Sequence, residues 1–116
     1  METLLGREDV DPNKFDSCGK TPVWYAAGSG HEGVVRILIE REEINPNIPD
    51  GWGQTPLSIT AERAYEGVVK ILLGRGDVNH DQVDNEGRTP LSFAAQRGDD
   101  GMMKMLFGGA GSVPKG

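Results

Sequence analysis

The fold is decided by residues 84–95, which read DNEGRTPLSFAA. The same framework recurs at a spacing of 34 residues in two earlier segments, which begin at Asp16 and Asp50. Seven positions are identical in all three copies, and the alignment needs no gap. Self-similarity at a fixed period of this length predicts an array of stacked structural repeats.

Each copy opens with a turn followed by a helix start. Asp50 and Gly53 predict a tight turn, because an Asp side chain accepts hydrogen bonds from the backbone just ahead and Gly supplies a positive φ. Thr55 is a favourable helix N-cap, and Pro56 suits the first helical position because its missing N–H has no partner there. We therefore expect a helix to begin at each Thr-Pro pair.

Two helices are predicted in each unit. In the first copy they span Pro22 to about Ser29 and about Glu32 to Glu40, where apolar residues recur at helical spacing. Gly30 can end the first helix in a left-handed conformation. The second copy has Ala64 at that place, so its turn is expected to form at some cost. An extended arm then leads to the next turn.

Together these strings resemble the ankyrin repeat signature, which is carried by residues 84–95, by GHEGVV at 30–35 and by LLGRGDVN at 72–79. The resemblance covers roughly residues 1–114. It implies an all-α repeat solenoid of ankyrin-like helix-turn-helix units joined by β-turns and extended arms. Tetratricopeptide units share the period but lack the Asp turn and the Thr-Pro start. The arm variants are similar to long ankyrin arrays of filamentous fungi, which large nucleotide-binding receptor-like proteins often carry.

The predicted organisation is one ankyrin domain over residues 1–116, with a partial repeat at 1–15 and repeats at 16–49, 50–83 and 84–116. Residues 1–5 align with 35–39, inside a second helix, and no Asp turn follows 108–116. We therefore expect a piece of a longer array. The apolar residues of the last helix predict an exposed end, a dimer contact or a further repeat there, through Met102, Met103, Met105 and Phe107.

Composition limits the classes of partner. The formal charge is −6, which disfavours binding to nucleic acid or to an anionic membrane surface. No apolar run approaches ~18 residues, so no membrane span is predicted. The single cysteine, Cys18, rules out an internal disulfide and fits a reducing interior, so an intracellular, cytoplasmic location is expected.

No catalytic, cofactor or metal site is predicted. Two distant His residues, His31 and His80, and one Cys give no triad and no zinc-type ligand spacing. The resemblance assigns His31 a packing and capping place. Asn45 and Asn79 occupy an arm position that is hydroxylated in some ankyrin repeats, although support of the backbone turn is the favoured role. An unrecognised enzyme and an engineered array are the weaker alternatives.

In ankyrin domains the turn tips and the first helices form a concave binding surface. The resemblance therefore implies a non-enzymatic module that binds another protein, with an acidic patch on the partner matching local Lys and Arg. The alternative is the sensor segment of a larger fungal nucleotide-binding receptor-like protein. Trp52, a Trp at a turn tip, is the foremost candidate. The predicted contact residues are Lys20, Trp24, Ser29, Trp52, Gln54, Arg63, Glu86, Arg88 and Arg97.

One departure from the family pattern concerns a side-chain network. Ankyrin repeats usually place His three residues after the Thr of the Thr-Pro pair, where it bonds Thr hydroxyls. Here those places hold Trp24, Ser58 and Ser92. We therefore expect an altered network, with the first repeat as the odd one.

Overall fold

The computed structural model describes residues 13–109. Within that range the chain forms six helices and no strand. In chain order they are α1 (Pro22–Gly28), α2 (Glu32–Ile39), α3 (Pro56–Glu62), α4 (Glu66–Leu73), α5 (Pro90–Arg97) and α6 (Asp100–Gly109). The predicted pairing of a first and a second helix in every repeat is confirmed. Most of the predicted partial repeat 1–15 and the segment after residue 109 lie outside the described residues.

The turn that opens each repeat forms as predicted. In the middle copy the Asp50 carboxylate accepts hydrogen bonds from the backbone N–H groups of Trp52 and Gln54, both at 2.9 Å. Gly53 adopts a φ of +82° and donates its N–H to the Asp50 carbonyl at 2.9 Å. Asp16 and Asp84 repeat this arrangement. The turn tips, residues 16–20, 50–54 and 84–88, therefore share one backbone geometry.

Each first helix begins at the predicted Thr cap. The Thr55 hydroxyl accepts the Ser58 N–H at 3.1 Å, and its oxygen lies 3.0 Å from that of Ser58. At the C-terminal end of each first helix, one residue adopts a left-handed backbone conformation. In the second copy this residue is Ala64, with a φ of +62°. The predicted cost at Ala64 therefore has a visible cause, because a left-handed conformation is unfavourable for a residue with a Cβ.

The helices form two layers, with α1, α3 and α5 in one and α2, α4 and α6 in the other. Neighbouring helices within a layer contact one another, and each first helix also contacts the second helix of its own repeat. Apolar side chains fill the space between the layers and between successive repeats. The core consists of Val23, Ala26, Ala27, Val35, Ile44, Leu57, Val68, Val69, Leu72, Val78, Ala94, Met102 and Leu106.

The arms are joined by asparagine side chains. Asn47 donates to the Asp77 carbonyl at 3.0 Å and accepts the Asn79 N–H at 2.7 Å, which links the arm after α2 to the arm after α4. The Asn45 and Asn79 side chains accept backbone N–H groups two residues ahead, at 3.0 and 2.9 Å. The predicted role of Asn45 and Asn79 in supporting the turns is confirmed.

Burial corrects the prediction for the apolar end. Met102 is fully buried because it takes the place of Val68 in the stack and packs into the core beside α4, so it cannot serve a dimer contact. Met103 and Met105 are partly buried against that core. Phe107 remains exposed, at 64%. No helix within residues 13–109 has the length and apolar character that a membrane crossing requires.

Candidate interaction surface

A groove of about 390 Å³ lies between the turn tips and the first helices, and we call it the tip groove. It crosses both joints between the three repeats. Its lining consists of Lys20, Trp24, Asp50, Trp52, Gln54, Ile59, Glu62, Arg63, Asn85, Glu86 and Arg88. Seven of the nine predicted contact residues are brought together here, and the other two, Ser29 and Arg97, are not among the lining residues.

Backbone hydrogen bonds fix the tips relative to one another. Gly51 donates its N–H to the Cys18 carbonyl at 2.8 Å, and Asn85 donates to the Trp52 carbonyl at 3.0 Å. The Asn85 side chain adds a bond to the Gly51 carbonyl at 3.2 Å. A partner would therefore meet tips that are already ordered, so little conformational entropy remains to be lost on binding.

Trp52 offers the largest exposed apolar side chain of the tip groove. Its residue exposure is 73%, although its backbone N–H and carbonyl are both hydrogen-bonded. Neither Trp24 nor Phe15 forms a ring contact with it among the described residues. An indole that is exposed on a fixed backbone has the character of a binding hot spot.

Trp24 forms part of the groove floor and is only 5% exposed, which corrects the expectation of an accessible contact. The reason is that the indole lies across the joint to the second repeat, where its Nε1 donates to the Gln54 carbonyl at 3.0 Å. The side chain also covers Gly28, which is buried. The Lys20 ammonium lies 4.7 Å from the Trp24 ring centroid, so this cation is held over the floor of the groove.

Arg88 is held by its own turn. Its Nε donates to the Asp84 carboxylate at 2.9 Å, its Nη2 lies 3.6 Å from the Glu86 carboxylate, and its guanidinium lies 4.8 Å from the Phe93 ring centroid. Burial acts to raise the pKa of Asp84. Hydrogen bonds from the backbone N–H groups of Arg88 and Glu86, together with the Arg88 guanidinium, act in the opposite direction and outweigh burial, so the pKa of Asp84 is lowered. The Asp84 hydrogen bond raises the pKa of Arg88.

Arg63 and Arg97 have a structural role that the sequence did not indicate. Arg63 donates to the carbonyl of Gly28, the last residue of α1, at 2.6 Å. Arg97 donates to the carbonyl of Glu62, the last residue of α3, at 3.2 Å. A cation at a helix C-terminus satisfies an orphan carbonyl and favours the helix dipole. These two predicted contacts therefore interlock successive repeats.

The expected positive bias is absent from the tip groove itself. The lining contains three cations, Lys20, Arg63 and Arg88, and three carboxylates, Asp50, Glu62 and Glu86. These formal charges cancel. The Glu62 carboxylate also accepts a hydrogen bond from the Gln54 amide at 3.0 Å. The prediction of a cationic surface weighed the Lys and Arg residues alone, although Glu86 was itself a predicted contact, and the fold adds Asp50 from a turn and Glu62 from α3.

Sequence reasoning did not place Ile59 in this groove. Ile59 occupies the position that Tyr25 holds in the first copy and Phe93 in the third. It is only 4% exposed. Its apolar character fits this buried position, and only the three-dimensional structure shows that it also lines the groove. Asp50 was likewise recognised as a turn residue but not as part of the surface.

The other candidate chemistry stays dispersed. His31 occupies the N-cap position of α2 but makes no side-chain capping hydrogen bond, so its expected capping role is not realised. His80 lies 4.0 Å from the Asp81 carboxylate. No group of three His, Cys, Asp or Glu residues within the described range could hold a metal ion. Cys18 is an exposed free thiol at the first tip.

Comparison with known proteins agrees with this architecture. A family model of ankyrin repeats matches with three copies, over residues 1–81 and 42–114. The matched ranges include all six helices. A similarity search finds no curated protein that matches the chain.

Proposed function

The chain belongs to the ankyrin repeat family, and from that premise we propose that it binds a partner protein through the tip groove. Ankyrin repeats are typically modules for protein–protein interaction and are generally not enzymes. What supports this particular surface is Trp52, which is 73% exposed on a tip whose backbone is fixed. Trp is among the residue types enriched in binding hot spots.

The groove limits the kind of partner. Because its lining carries equal numbers of cations and carboxylates, overall charge attraction contributes little. We propose a partner that packs an apolar or aromatic group against Trp52 and presents an acidic group to Lys20. Eleven lining residues are fewer than the about 20–30 that a standard interface uses on each side. The partner would therefore also contact exposed residues beside the groove, Arg97 and Ser29 among them.

A sensor segment of a larger nucleotide-binding receptor-like protein would use the same groove. That role, its fungal setting and an intracellular location stay predictions. The repeat boundaries at 16, 50 and 84 are retained as part of the proposal, because each coincides with an Asp turn that opens a helix pair.

The experiment compares Trp52→Ala with Ile37→Ala in a pull-down, followed by affinity measurement on the partner recovered. Ile37 is the matched control, since it is 67% exposed on α2 and does not line the tip groove. We expect Trp52→Ala to weaken binding by about 30-fold, the equivalent of the ~2 kcal/mol that defines a hot spot. Ile37→Ala should keep the original affinity.

Thermal unfolding of both variants separates binding from folding. Trp52→Ala should melt like the original chain, because the backbone bonds of residue 52 remain and the lost indole was exposed. A variant that folds normally and keeps every partner at unchanged affinity would show that the tip groove is not the binding surface.

A further inference from the structure

In the layer of second helices, a glutamate crosses each joint between successive repeats. Glu32, the first residue of α2, lays its carboxylate against Gly67 in the first turn of α4. Glu66, the first residue of α4, reaches Gly101 in the first turn of α6 in the same way. A Cβ added at Gly101 would lie 3.4 Å from both Glu66 carboxylate oxygens. Glycine at these places therefore leaves room for a carboxylate from the preceding repeat.

The two joints differ in the residue that precedes the next helix. Before α4 this residue is Tyr65, whose ring packs against Gly30 in the turn of the first repeat. Before α6 it is Asp99, whose Oδ1 accepts the Met102 N–H at 3.0 Å. The carboxyl groups of Glu66 and Asp99 lie within hydrogen-bonding reach of each other. Of these two joints, the second therefore brings two carboxyl groups together at the start of a helix.

The surroundings of Glu66 do not offset this contact. The charged residues on α4 and on the elements packed against it are Lys70 on α4 itself, Asp99, Asp100 and Lys104 at α6, Glu32 and Arg36 on α2, and Glu62 on α3, which lines the tip groove. The pKa of Glu66 is raised by its hydrogen bond with Asp99, then by the Asp99 charge and by desolvation. Lys70 acts in the opposite direction without reversing the shift.

We propose that the contact between Glu66 and Asp99 is a pH-sensitive joint, which tightens when Glu66 takes up one proton from solvent and donates it in a hydrogen bond to the Asp99 carboxylate. That bond ties α4 to the start of α6. When both groups are ionised they repel each other instead, because two carboxylates that share a site cannot both be charged without a cost. Neither residue lines the tip groove, so the two proposals stand or fall separately.

The raised pKa of Glu66 fixes the direction of the pH effect. Above the folded-state pKa the ionised pair lowers the stability, since the unfolded chain does not hold the two groups together. As the pH falls through that pKa, the folded chain binds a proton before the unfolded chain does, and the loss is fully relieved below the ordinary value of 4.5. Carboxylates whose pKa is lowered, such as Asp16 and Asp84, act in the opposite sense. The test therefore compares variants with one another.

Denaturant unfolding of the original chain, Glu66→Gln and Glu32→Gln is followed between pH 7 and pH 4. We expect Glu66→Gln to have a higher denaturation midpoint than the original chain at pH 7, and this gain should shrink towards zero as the pH falls. Glu32→Gln is the matched control, because it removes a glutamate at the same helix position, four residues before Arg36, where Tyr65 replaces the facing carboxylate. It should bring no such gain.

Carboxyl carbon chemical shifts of the isotope-labelled chain give a second readout at the residue itself. Asp99→Asn should lower the pH at which the Glu66 carboxyl group titrates. The substitution keeps the helix cap, because an Asn oxygen also accepts the Met102 N–H. An unchanged Glu66 titration in Asp99→Asn, or a Glu66→Gln variant that gains no more stability at pH 7 than Glu32→Gln, would overturn the proposal.

Discussion

Ala64 adopts the backbone conformation that the other two copies give to glycine. Its φ is +62°, against +75° at Gly30 and +68° at Gly98. A left-handed conformation costs an L-residue about 1–2 kcal/mol, whereas Gly carries an entropic cost of about 0.5–1 kcal/mol on folding. The second repeat therefore folds with a strain that a single substitution can remove.

Ala64→Gly is expected to raise the free energy of unfolding by about 0.5–1 kcal/mol, the difference between those two costs. Chemical denaturation measures it directly.

Gly98→Ala makes the reverse change in the third copy and serves as the control. An added Cβ would meet nothing within 4 Å there, so only the conformational preference of the backbone changes. This substitution should destabilise the chain by a similar amount. A destabilised Ala64→Gly variant would contradict the assignment of strain to this residue.

At the scale of elements, the turn tips stack through close backbone contacts. A Cβ added at Gly53 would lie 2.7 Å from the Asn85 backbone nitrogen and 3.0 Å from the Asp84 Cα. Gly87 has nearly the same positive φ, yet a Cβ there would meet nothing within 4 Å. The two glycines therefore share a conformational requirement and differ only in the approach of the next tip.

Gly53→Ala is expected to cost about 1–2 kcal/mol more stability than Gly87→Ala, because only the former forces two tips apart. Thermal or denaturant unfolding of the two variants gives the difference, in which the common left-handed penalty cancels. Equal losses in the two variants would mean that contact between the tips contributes nothing to the stack.

Local signals made the elements predictable. Thr55, Pro56 and Gly53 each act within a few residues of their own position, so the turn, the cap and the helix start follow from residue type. Ala64 was recognisable for the same reason. The altered network at Trp24 was also expected, but its outcome, a bond to the Gln54 carbonyl in the next repeat, was not.

Contacts across repeats could not be derived in this way. Arg63 bonds a carbonyl 35 residues earlier, and Arg97 does the same one repeat later. Both were interpreted as variable surface residues, although identical residue types in two copies were a signal of a shared structural role. The neutral charge of the tip groove was missed for a different reason, because only the cations were weighed although Glu86 was itself a predicted contact.

At the scale of the whole molecule, the stack turns a repeated framework into a single surface. Most of the residues that are identical between copies form turns, caps and core, whereas the tip groove, apart from Asp50, collects residues that differ, from Lys20 in the first repeat to Arg88 in the third. Repeats bury their faces against their neighbours, so the framework can hold while the tips vary. The groove exists only when the three repeats are in register.

Site-specific photocrosslinking tests the central claim, that this chain binds a protein through the tip groove, most directly. A benzophenone amino acid would replace Trp52 in one variant and the similarly accessible Ile37 in another, and each would be irradiated with the partner that the original chain recovers. The account predicts a covalent adduct from position 52 and none from position 37. An adduct from position 37 with none from position 52 would contradict it.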